Sequence, residues 1–356
     1  MTKRLWPSIV SVALVAGLAG CGTQASTGST GTAATKPITI GFTVYGMSSW
    51  VTWGQEGVNQ LAKDEHVKIE WDSASENVAT QMSQMETFIN QHVSAIVVDP
   101  VSSSSLGPQI QQAEKAGIPV FGLNVRFYSP EKNYITGYVG PDDVLAGEHD
   151  MEAMAKLLHG HGNIVILQGP IGQSATKDRT NGIDTILKQY PGIHVLAEQP
   201  ANWNRATAYS VMLDWASRYN TQINGVVAED DDMAIGAIRA LDQKGLSSLP
   251  VVGSDGIADG MKEIMAGREQ MTNLQNAPLQ MGEALTVAVN YLKTHHLPQK
   301  FIFIPCPVIT SSNVKQVYDQ IYVNPEHFIQ TTLYPLVQYD LKTHQYGNEF
   351  LPTTAQ

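Results

Sequence analysis

Short apolar runs recur along the chain, each followed by a stretch with helical spacing. They are ITIGFTV (38–44), VKIEWD (67–72), AIVVDP (95–100), PVFGLN (119–124), NIVILQG (163–169), IHVLAEQ (193–199), INGVVAED (223–230) and LPVVGSD (249–255). Consecutive apolar positions suit strands buried on both faces, and the intervening helices suit crossovers. The pattern therefore predicts parallel sheets covered on both sides. The helices close at glycines such as Gly117, Gly160 and Gly245, where a left-handed cap costs least. So many units exceed one doubly wound sheet of ordinary width. A break falls at VGPDD (139–143), between strand-like YITGYV and the helical VLAGEHDMEAMAKLL. The fold class is α/β, with two lobes of similar topology; MTNLQ (271–275) and FIFIP (301–305) are candidates to cross between them. Ligands of open α/β sheets sit at the carboxyl ends of strands, beside helix N-termini. The polar residues there are Asn124, Gln168, Asp230 and Asp255.

The N-terminus has a different pattern. Lys3 and Arg4 precede an apolar stretch, Ser8 to Gly20, that is too short to span a bilayer. It ends in Leu18-Ala19-Gly20-Cys21, which resembles the bacterial lipobox, whose cysteine is lipidated and becomes the first residue of the mature chain. Residues 22–36, GTQASTGSTGTAATK, cannot form a core and read as a flexible tether. The chain has two cysteines, Cys21 and Cys306, so no disulfide framework is expected. Residues beyond 316 hold Tyr322, Phe328, Tyr334, Tyr339, Tyr346 and Phe350; a tail this aromatic is expected to pack on a lobe.

Composition narrows the chemistry. At 43% apolar and 15% charged the chain is globular, and its formal charge of −11 offers nucleic acid no attraction. The acidic run Glu229 to Asp232, where a strand meets a helix, allows a metal site, a catalytic acid, a cap or a sugar-binding edge. A metal needs several converging oxygens, and no EF-hand-like loop is present. His159-Gly160-His161 and His295-His296 end helices without a third ligand nearby. Gly-x-Ser-x-Gly and Walker-type motifs are missing from the sequence, so neither a nucleophile elbow nor a phosphate loop is expected. The expectation is no catalytic residue, no metal and no cofactor.

ITIGFTVYGMSSW, LQGPIGQSATKDRTNG, EDDDMAIGAIRAL, VVGSDGIADG and LQNAPLQMG, in this order, resemble the sugar-type periplasmic binding proteins, the substrate-capturing components of ABC importers. The resemblance covers about residues 38–315. It implies two Rossmann-like lobes: 37–141 with 277–305, and 142–276 with 306–330. Residues 1–20 would be the signal peptide, 21–36 the tether and 331–356 an extension. Asp255, in GSDG, and Asp230 would accept hydrogen bonds from sugar hydroxyls. Asp231 and Asp232 would be solvated charges in the first helical turn, and Glu229 would point away. Arg179 would offer its donor fork to a sugar, and Trp50 and Trp203 would pack on its C–H faces. Ser48 and Ser49 both precede the aromatic, and Ser49 joins the candidates. The family usually has Asp, often followed by Arg, after its fourth strand; here Asn124-Val125-Arg126 leaves room for a deoxy, amino, acidic or phosphorylated ligand. QNAP (275–278) leaves open whether Gln275 or Asn276 reaches the cleft.

These residues imply capture of a small sugar-like ligand by hinge closure, with hinges near 124–142, 275–278 and 305–308. The partner would be the transmembrane subunits of an ABC permease. The protein would be a monomer held outside the cell membrane by lipidated Cys21, without nucleic acid. The same residues also fit a ligand-sensing component for a membrane receptor or kinase, and a secreted carbohydrate enzyme would have to turn its ligand over.

Overall fold

A computed structural model describes residues 37–345. The signal segment, Cys21, the tether, Tyr346 and Phe350 lie outside the described residues. In chain order the first elements are β1 (Thr39–Val44), α1 (Ser49–Asp64), β2 (Lys68–Ser73), α2 (Val78–Asn90), β3 (Ala95–Val98), α3 (Gly107–Lys115), β4 (Val120–Leu123) and β5 (Gly137–Pro141). Next come α4 (Asp143–Leu157), β6 (His161–Gln168), α5 (Ser174–Leu187), β7 (Gly192–Pro200), α6 (Arg205–Tyr219), β8 (Gly225–Ala228) and α7 (Asp231–Gln243). They are followed by β9 (Val251–Val252), α8 (Ala258–Met265), β10 (Met271–Asn273), α9 (Ala277–Thr294), β11 (Phe301–Ile304) and β12 (Val308–Thr310). Three helices, α10 (Val314–Tyr322), α11 (Pro325–Phe328) and α12 (Tyr334–Thr343), complete the described chain.

Two sheets form, ordered β11-β5-β4-β3-β1-β2 and β12-β10-β9-β8-β6-β7. The first is parallel throughout. The second is parallel except for β12, which runs against β10. Each winds outward in both directions from its first strand, so each has a switch point where a cleft opens at the carboxyl ends.

The period-two alternation of the strands feeds separate cores. Ile40, Phe42 and Val44 face α1 and α9, whereas Ile96 and Val98 face α2 and α3. In the second sheet Val165, Leu167 and Val226 pack with α6 and α7, and Ile164, Ile166 and Val227 with α4 and α5. A one-residue slip would exchange these faces, so burial on both sides fixes the register.

The chain passes between sheets after β5, between β10 and α9, and between β11 and β12. The tail passes again. Tyr322 on α10 donates to the Gly256 carbonyl at 2.7 Å, next to α8, while its ring lies 5.1 Å from that of Trp53 on α1. Phe328, Leu333 and Val337 then pack into the core beneath α1 and α9. The aromatic tail thus covers apolar surface, as its composition requires.

Candidate functional site

The carboxyl ends of the two sheets face each other across a small cavity lined by Tyr45, Trp50, Asn124, Gln173, Ala175, Arg179, Trp203, Asp230 and Asp255. A larger hollow near Ile118, Tyr134 and Leu297 is open and lies at the amino ends of β4 and β5, where neither strand termini nor helix dipoles converge on a ligand.

Each polar group is held by its local structure. Asp230 is the N-cap of α7: its Oδ1 accepts from the Met233 N–H at 2.7 Å, leaving Oδ2 for the cavity. Asp255 follows β9 at φ +116°, a costly conformation for a residue with a side chain, fixed by bonds to the Asn273 carbonyl (2.8 Å) and from the Gln275 N–H (3.0 Å). Arg179 stands on α5, 4% exposed. Its Nε donates to Asp143 at 3.0 Å, and its Nη1 donates to the Glu229 carbonyl and, at 3.4 Å, to Asp255. The height of α5 is set by Gly147 and Gly182, where a Cβ would overlap the carbonyls of Arg179 and Val144. Only glycine permits so close a crossing with α4.

The apolar walls are fixed similarly. The Trp50 indole donates to the Gln275 carbonyl at 2.6 Å, and that of Trp203 to Gln173 Oε1 at 2.8 Å. The Arg179 guanidinium sits 5.3 Å from the Trp203 ring centre. Asn124 adopts φ +53°, and its amide nitrogen donates to Asp99 at 3.3 Å. Among the described residues, Oδ2 of Asp230, Oδ2 of Asp255, Oδ1 of Asn124 and Nη2 of Arg179 have no hydrogen-bond partner. Three acceptor oxygens and one guanidinium nitrogen are thus left wholly unpartnered for a guest.

Electrostatics follow from burial. Burial, then the neighbouring Asp255, pushes the Asp230 carboxyl well up; burial also raises Asp255, against the pull of Arg179. Burial pushes Asp99 up to about 8, offset in part by the Asn124 amide and the Val125 N–H. Burial opposes the Arg179 charge, but Asp143 and Asp255 outweigh it and hold the guanidinium above its ordinary value.

Six sequence candidates share the cavity: Trp50, Asn124, Arg179, Trp203, Asp230 and Asp255. Four do not line it. The side chain of Arg126 pairs with Asp178 of α5 and lies 5.8 Å from the Phe303 ring centre. Its N–H donates to Ser174 Oγ at 2.6 Å, within a row of bonds between the lobes that includes Ser174 N–H to Ser103 Oγ (2.8 Å) and Ser103 N–H to the Gly172 carbonyl (3.0 Å). Ser49 is exposed in a neighbouring groove, while Ser48 caps α1. Gln275 offers its carbonyl to Trp50, and Asn276 caps α9. The expectation of solvated charge at Asp231 and Asp232 needs correction. Asp231 is buried and accepts from Thr272 and Ile257, and Asp232 pairs with Arg205. Glu229 turns inward to Gly169 and Thr180.

Tyr45, Gln173 and Ala175 line the cavity without having been candidates. Tyr45 directly follows a predicted strand, so the strand-end rule reaches it. No local signal singles out Gln173, or Asp143 as the partner of Arg179. Among the described residues no cluster of three or more His, Cys, Asp or Glu is placed to hold a metal ion, and the free Cys306 is buried.

Two doubly wound lobes closing on a polar cavity with aromatic walls define the class: a two-lobed receptor for a small solute. The chain belongs to the periplasmic binding protein family, whose domain matches residues 40–296. It is similar to the xylitol-binding protein of Mycolicibacterium smegmatis, with 40% identity over 356 residues, 100% of this chain and 99% of that one. It is 31% identical over 271 residues to the putative rhizopine-binding protein of Rhizobium meliloti, covering 74% and 86% of the two chains. A solved relative is an ABC transporter solute-binding protein from Bacillus halodurans C-125 with bound myo-inositol: TM-score 0.75, 29% identity, 80% of this chain and 99% of that one. Family members are solute-binding proteins, and this chain is one of them rather than an enzyme. The family works outside the cytoplasm, and among the described residues no helix is long and apolar enough to cross a membrane.

Proposed function

We propose that this protein captures a sugar or polyol of five or six carbons outside the cytoplasm and delivers it to the membrane subunits of an ABC permease. The observation that carries the reading is the set of unused acceptors, Asp230, Asp255 and Asn124, gathered with Arg179 between two indole walls. Hydroxyls donate strongly to carboxylates, and C–H faces bury apolar area on rings. The polyol names carried by the relatives support the same ligand class.

Capture works by closure. Residues 37–141 with 277–305 form one moving body and 142–276 with 306–330 the other. A ligand that touches both Trp50 and Asp255 favours the closed form through contacts the open form lacks. The protein acts as a monomer, anchored through lipidated Cys21, with 22–36 as its tether.

A thermal-shift screen across pentoses, hexoses, pentitols and cyclitols finds the ligand, since specific binding raises the melting temperature. Calorimetry with the best ligand then tests the site. Asp255→Ala removes one partner of buried charged hydrogen bonds and costs roughly 2–5 kcal/mol of affinity, and Trp50→Ala weakens binding too. Unchanged affinity in both variants refutes the site.

A further inference from the structure

The charges around the cavity do not balance. Among the described residues Arg179 is the only cationic side chain lining it, and its bonds already go to Asp143, the Glu229 carbonyl and Asp255. Asp143, itself 3% exposed, lies 3.0 Å from Arg179 Nε, so the guanidinium charge is matched before any ligand arrives. Asp230 and Asp255 then remain, each with one carboxylate oxygen that no protein donor reaches. The third unused acceptor is Asn124 Oδ1, whose amide nitrogen is turned to Asp99 Oδ2 at 3.3 Å.

From this inventory we propose that the site is selective by charge: it takes neutral polyols, takes amino-polyols more tightly by seating their ammonium group between Asp230 and Asp255, and refuses sugar acids and sugar phosphates. This deepens the reading given above and rests on it. An anionic ligand would bring a carboxylate or phosphate against acceptors, with Arg179 Nη2 the one charged donor there that has no protein partner among the described residues. An ammonium supplies three donors and the missing charge. It also faces indole walls, which attract cations. Burial raises both acids, and Asp255 adds to the rise at Asp230, so a cation seated between them relieves the repulsion.

The experiment is calorimetry with a matched set that differs only at one end: xylitol, 1-amino-1-deoxyxylitol and xylonate. The expected order is amine over polyol over acid, the amine tighter than xylitol by about tenfold or more and the acid weaker by at least about a hundredfold. Asp230→Asn carries the second arm, because asparagine keeps the α7 cap while removing the charge. In that variant the preference for the amine over xylitol falls to within about threefold. Asp255→Asn repeats the arm should the first variant fold poorly. Xylitol binding with xylonate equal to it, or with the amine no tighter, overturns the charge rule and leaves polyol capture standing. A preference for the amine that survives both substitutions overturns the assigned seat. Failure of xylitol, the amine and every sugar and polyol of the screen to bind sinks the ligand reading and this inference with it.

Discussion

Removing the Arg126–Asp178 pair at the rim tests whether the lobes carry a latch of their own. Arg126 follows β4 in the first lobe and Asp178 sits on α5 in the second, so the pair exists only when the lobes are together. The two side chains are 34% and 10% exposed. That places the pair between a surface ion pair, about 0.2–1 kcal/mol, and a buried charged hydrogen bond, roughly 1.5–3 kcal/mol. A middle value of ~1.5 kcal/mol is about a tenfold shift toward the open form. Truncating Arg126 alone would leave Asp178 without its partner, so the clean perturbation is the double variant Arg126→Ala with Asp178→Asn. The backbone bond from Arg126 to Ser174 survives it. Stopped-flow tryptophan fluorescence reads closure directly, since Trp50 and Trp203 line the cavity. Ligand release should quicken by about tenfold while association stays nearly constant, because a closed-state contact acts on the exit step. Arg218→Ala, which breaks an exposed pair with Asp214, serves as the control. A release rate in the double variant within about twofold of the parent refutes the latch.

Gly182→Ala should push α5 away from α4 through the Val144 carbonyl, costing about 1–3 kcal/mol of stability and displacing Arg179, so denaturant midpoint and ligand affinity fall together. Retained affinity at lowered stability would separate the crossing from the site. The empty protein should lose thermal stability as pH rises. Burial pushes Asp99 and Glu229 to about 8 and Asp231 to about 7, so each keeps in the folded state a proton that the unfolded chain loses above about pH 4. Folding then takes up protons between roughly pH 4 and 8, and stability declines across that window. Melting curves at about pH 5 and pH 8 check the sign, and a higher Tm at the alkaline end contradicts it.

Much of the architecture could be read from the spacing of apolar residues. Runs such as AIVVDP and INGVVAED became β3 and β8, because a strand buried on both faces cannot carry polar alternation. Strand β12 was missed: VIT is short, and its place antiparallel to β10 depends on a partner far away in sequence. The cavity-lining acids were legible because strand ends are punctuated by turn residues. Partners were not. That Arg126 meets Asp178 while Arg179 meets Asp143 depends on which face of α5 each residue occupies and on how the lobes approach. The acidic run misled for a related reason. Four adjacent carboxylates suggest a wet helix end, yet Thr272, Ile257, Arg205, Gly169 and Thr180 reach in from distant segments to bury three of them.

The path of the chain through the two sheets has a consequence for biogenesis. The edge strand β11 joins the first sheet more than a hundred residues after β5, and α12 packs on α9 later still. A polypeptide emerging N-terminus first therefore cannot finish its leading half until nearly all of it has been synthesised. Long-range pairing of this kind is slow to form. For a chain whose family works outside the cytoplasm, that order of assembly leaves the leading lobe open until the last segments arrive.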